Sequence, residues 1–89
     1  MASSIVTFEP TETLDLLGTG TQRIYKFDNG FGASVIRGDY SYGGSEGLFE
    51  LGVLDAADNL TYETPITDDV IGWLQESDVQ NLLVKIAAL

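Results

Sequence analysis

Chemistry in this chain must come from carboxylates, tyrosines and arginines, because fourteen acids, four tyrosines and four bases stand beside no histidine and no cysteine. Thiol catalysis, disulfides, histidine bases and nearly all zinc chemistry are thereby excluded. Paired carboxylates perform acid–base work only at a defined separation in a cleft, and fourteen acids contain such pairs by chance. Asp55-Ala56-Ala57-Asp58-Asn59 lacks the spacing and the glycine of a calcium loop, so it reads as a turn with solvated acids. Gly30-Phe31-Gly32 leads into a strand rather than a helix, and Gly18-Thr19-Gly20 has no P-loop lysine, so neither is a phosphate cradle. The residues predict no enzyme, no metal site and no cofactor.

Two other groupings remain. Tyr40 and Tyr42 lie in a ten-residue glycine-rich loop, residues 38–47, where tyrosine supplies contact area at little entropic cost. Their rings either form a binding lip or fold back on the core, and the sequence weighs the two equally. Arg23 and Arg37, on neighbouring strands, either grip an anion or form internal ion pairs, the second being favoured in so acidic a chain.

Charge narrows the partners. The formal net charge is −10. Arg23, Lys26 and Arg37 all precede Gly38, and Lys85 is the one base after it, against ten acids. Phosphate contacts with nucleic acid are thus disfavoured, and a basic partner or solubility is favoured. No stretch reads as a signal peptide or membrane span, which predicts a cytoplasmic protein.

Eighty-nine residues predict one domain of 21–89, preceded by a strand or extension over 1–20. The chain is organised around Phe27-Asp28-Asn29-Gly30-Phe31. Asn-Gly between two β-rich runs signals a two-residue type I′ turn, which would pair Ile24 with Val35 and Lys26 with Ala33. Period-two alternation also predicts strands over 5–8, 11–16, 48–54 and 60–64. The period then changes. Thr67 as N-cap with Asp68 and Asp69 predicts a short helix carrying Val70, Ile71, Trp73 and Leu74 on its apolar face. Ser77-Asp78-Val79-Gln80 matches a capping box for a second helix with Val79, Leu82, Leu83, Ile86 and Leu89 in one stripe. The fold class is α+β: an antiparallel meander of four to five strands with two short C-terminal helices on one face.

The run from Arg23 through Lys26-Phe27-Asp28-Asn29-Gly30-Phe31-Gly32-Ala33-Ser34-Val35, with Tyr42-Gly43-Gly44, Leu48-Phe49-Glu50-Leu51 and Thr64-Pro65-Ile66-Thr67-Asp68-Asp69-Val70, resembles small acidic proteins of tailed phages and prophages. The resemblance spans residues 21–89 and carries over no catalytic residue. It implies a non-structural phage protein, a class in which short acidic chains bind and inhibit host or defence proteins, CRISPR effectors included. The leading expectation is such an inhibitor, anti-CRISPR-like or a DNA mimic, acting in the bacterial cytoplasm. Glu50, Asp55, Asp58, Glu63, Asp68 and Asp69 would meet a basic, nucleic-acid-binding surface of its target. The alternative is a homo-oligomer that sequesters a nucleotide or other small molecule with Tyr40, Tyr42, Arg23 and Arg37.

One consequence concerns the central turn. Gly30→Ala should cost on the order of 1 kcal/mol or more, because alanine pays to enter the left-handed region. A denaturant midpoint unchanged by the substitution would contradict the turn.

Overall fold

The computed structural model describes residues 8–66 and 70–89. Among these, five strands form one open antiparallel sheet in sequential order. They are β1 (Glu12–Asp15), β2 (Gly20–Lys26), β3 (Gly32–Gly38), β4 (Phe49–Leu54) and β5 (Ile71–Leu74), followed by one α-helix, α1 (Glu76–Ala87). The α+β meander of the sequence is therefore present, with one helix among the described residues where two were predicted.

Residues 71–74 are the reason for the difference. Their pattern predicts a first helix, whereas they pair with β4, Phe49 opposite Leu74 and Leu51 opposite Ile71 around a bulge. Gly72 lowers helix propensity, and a helix so short repays its nucleation poorly. Glycine also serves the strand directly, since a β-carbon at position 72 would collide with the Cβ of Tyr42. The proposed Thr67 cap with Asp68 and Asp69, and residues 5–7 of the first predicted strand, lie outside the described residues. Phe8 itself is in no strand, and the predicted strand over 60–64 reduces to a bridge between Leu60 and Leu54.

The central hairpin is also one residue out of the expected register. Lys26 faces Gly32, Tyr25 faces Ala33, and Ile24 faces Ser34. The Phe27 N–H donates to the Phe31 carbonyl at 2.9 Å, while the Gly30 N–H donates to Phe27 at 3.1 Å. The loop thus holds three residues with Gly30 alone at positive φ, 90°, a turn closed by a glycine bulge. Asn29 has a different task. Its amide donates to the Ile86 carbonyl at 2.8 Å and to Leu89 at 3.3 Å, and its oxygen accepts from Phe31 N–H at 2.9 Å. The hairpin tip therefore satisfies carbonyls that the end of α1 leaves open.

Register decides which side chains meet the helix. Arg23, Tyr25, Ala33, Val35, Phe49, Leu51 and Val53 share the face of the sheet covered by α1. From the helix come Val79, Leu83 and Ile86, all fully buried and spaced by four and three residues. Ala33 beside Tyr25 is a small residue that makes room for a large one. The helix begins two residues earlier than the predicted box: Gln75 is the N-cap, and its N–H donates to Asp78 at 3.0 Å in a reciprocal capping box.

Two outcomes are expected. Leu83→Ala should lose about 2–5 kcal/mol by calorimetry or denaturant titration, through a cavity at the centre of the core. Leu17→Asn should gain on the order of 1 kcal/mol, since Leu17 sits at φ 55° beside Gly18 at 81°. Its side chain is almost wholly in solvent and gives up no packing. A lower denaturant midpoint for Leu17→Asn would contradict the strain argument.

Candidate functional site

The loop from β3 to β4 is shaped by its own backbone bonds. Ser41 Oγ accepts from the Gly38 N–H at 2.9 Å and donates to the Gly38 carbonyl at 3.1 Å, and a 3-10 turn follows at Gly44–Glu46. Left-handed Gly43 and Gly47 flank that turn. Tyr40 and Tyr42 are carried outward by this loop, so of the two alternatives the rings take the exposed one.

Three segments meet at this end of the sheet. The Asp39 N–H donates to the Thr19 carbonyl at 2.8 Å, tying the loop to the β1–β2 hairpin. Leu16, Thr19, Ile36, Tyr40 and Glu50 line one small cavity of about 170 Å³. Glu50 Oε1 accepts from the Tyr42 N–H at 3.3 Å. The Tyr42 carbonyl in turn accepts from the Trp73 N–H at 3.2 Å, which joins the loop to β5. Leu17, Tyr40, Tyr42 and Trp73 are consequently brought to one end of the molecule. They are 98%, 90%, 63% and 61% exposed, the four highest values among large apolar side chains of the described residues.

Two of the four stand in left-handed backbone, Leu17 at φ 55° and Trp73 at φ 60°. Each such residue costs roughly 1–2 kcal/mol, and neither recovers it by burying its side chain. Asp15, Asp39, Glu46 and Glu50 belong to the same segments, and residues 15–22, 38–50 and 70–80 contain no lysine or arginine. The result is an aromatic and aliphatic ridge on acidic segments, with Arg37 at their border. Exposed aromatic groups of this kind are the common anchors of protein interfaces.

Other expected site residues fall elsewhere. Arg23 and Arg37 are neighbours, as their strands implied, with guanidinium carbons 4.6 and 4.9 Å from the Phe49 ring centroid. Arg23 Nη1 also donates to both Glu76 oxygens at 2.9 and 3.0 Å. Partial burial works against its charge, but the hydrogen bonds to Tyr25 and Glu76 outweigh this and raise its pKa. Internal engagement is therefore what these arginines have.

Among the acids, Asp55 accepts the N–H groups of Ala57 and Asn59 at 2.9 and 3.0 Å, an Asx-type turn. Asp58 pairs with Lys26 at 2.9 Å, Glu63 is exposed, and Asp68 and Asp69 lie outside the described residues. Of the proposed acidic set, Glu50 is the member at the exposed ridge. Trp73, expected in the core beside Val70 and Leu74, is instead exposed, because the bulge in β5 sets it at positive φ. Leu17 was not singled out. Its signal was available in Leu17-Gly18, a pair that occupies the turn positions Asn-Gly normally holds.

Among the described residues, no three carboxylates gather at a spacing fit for a metal ion, and no helix is long and apolar enough to cross a membrane. Searches against protein-family models, curated proteins and solved structures found no match for this chain.

Proposed function

We propose that this chain is a non-catalytic binding protein of phage accessory type that inhibits a host or defence protein by docking on its basic surface. The observation that carries the reading is the convergence of the four most exposed large apolar side chains with Asp15, Asp39, Glu46 and Glu50, on segments without a cation. Aromatic anchors supply contact area, while an unbalanced negative field steers a positively charged partner and rejects other acidic chains. Two of the four cations are already spent internally, Arg23 on Glu76 and Lys26 on Asp58. Among the described residues, most carboxylates thus have no basic side chain as a partner. A target that uses its basic surface to hold nucleic acid would be blocked by occupation of that surface.

The sequestering alternative has weaker support. The cavity at Tyr40, about 170 Å³, is below the roughly 300–1,000 Å³ of ordinary ligand pockets, and the larger one beside Arg23, about 420 Å³, is lined by Glu9, Glu76 and Gln80 without Tyr40, Tyr42 or Arg37. Of the two arginines that would bind the ligand's anion, Arg23 is engaged by Glu76 and Arg37 lies over the Phe49 ring.

The immobilised chain, exposed to bacterial host lysate, should retain a basic protein at about 0.05 M salt and release it as salt rises toward about 0.5 M. The captured protein should lose its own nucleic-acid binding when the chain is added. Capture that is indifferent to salt, or of acidic proteins only, would contradict the reading.

A further inference from the structure

Trp73 is the least expected member of the ridge. It is the chain's single tryptophan, and the bulge that exposes it also places it at φ 60°. Its N–H is bonded to the Tyr42 carbonyl, so the indole and the Tyr42 phenol arise from adjoining backbone. Glu50 lies against the same tyrosine through the bond from the Tyr42 N–H. Two aromatic residues and a carboxylate are thus tied to one another through the Tyr42 backbone. Indole is the strongest cation–π acceptor among side chains, and a guanidinium can lie flat on a ring while donating sideways to a carboxylate.

From this arrangement we infer that Trp73, Tyr42 and Glu50 form a receptor for an arginine side chain of the basic partner. The inference rests on the proposed docking to a basic surface and names the group that is recognised. Charge complementarity selects this occupant over a second copy of the chain, because each copy carries −10 and residues 38–50 and 70–80 have no cation to offer. The nearest base in sequence, Arg37, has its guanidinium over Phe49 and leaves the ridge free. That internal contact uses the same chemistry: the Phe49 ring has the guanidinium groups of both Arg23 and Arg37 within 5 Å of its centroid. Arginine is favoured over lysine because an ammonium is a point charge and cannot stack.

Nona-arginine and nona-lysine peptides test the inference at low salt, with Trp73 fluorescence as a built-in probe. Nona-arginine should shield the indole from acrylamide quenching, and nona-lysine should shield it less. Trp73→Gly removes the indole and suits the left-handed backbone, so circular dichroism should show it folded. By calorimetry it should bind nona-arginine about 3- to 30-fold more weakly, with nona-lysine affinity little changed. Nona-arginine binding that leaves Trp73 fully quenchable, or that survives Trp73→Gly intact, would overturn the arginine receptor while sparing the acidic docking surface. Failure of both peptides to bind at low salt would overturn the receptor and the docking reading together.

Discussion

One helix packed on one face of one sheet is the constraint from which the rest of the structure follows. Val79, Leu83 and Ile86 fill the space above Tyr25, Val35, Leu51 and Val53, and each of these seven is at most 1% exposed. A chain of 89 residues builds only this one layer, too little cover for all of its apolar groups. Its other apolar groups must then be covered by loops or left in water. The largest of those left in water collect where the β1–β2 hairpin, the β3–β4 loop and β5 converge. Fold and candidate site are in this sense two results of one shortage.

The core registers because both ends of the helix are fixed. Gln75 and Asp78 close the N-terminal end with a capping box, and Arg23 reaches Glu76 from the sheet. At the other end Asn29 donates to the carbonyls of Ile86 and Leu89 from the tip of the central hairpin. The residue that marks the turn in sequence is thus also the one that locks turn to helix. An Asn in this position does more than tolerate a backbone angle, and its φ is not among the positive ones.

Much of the fold was legible, for reasons that differ by element. Alternation in β2, β3 and β4 and the 79–83–86 stripe reflect burial on one side, a signal written in residue type. The hairpin was found but its register was not, since Asn-Gly is compatible with two-residue and three-residue loops and one residue of slip changes every partner. Residues 70–74 are ambiguous because valine, isoleucine, tryptophan and leucine near acids resemble a helical face as much as a strand. What decided the matter was the free edge of β4 and the close approach of Tyr42 to Gly72, both tertiary facts. At the site, Tyr40 and Tyr42 stood out through their loop, and Glu50 through its charge. Trp73 was hidden by the habit of assigning tryptophan to cores, and Leu17 by its ordinariness; only backbone geometry exposes them.

The docking surface itself is most directly tested by a hydrogen-exchange footprint of the chain in complex with the basic protein it captures. Protection should concentrate on residues 17–19, 39–50 and 71–75, and the outward side of α1 around Val84 and Lys85 should exchange as in the free chain. Protection confined to α1, with those three segments unchanged, would contradict the account.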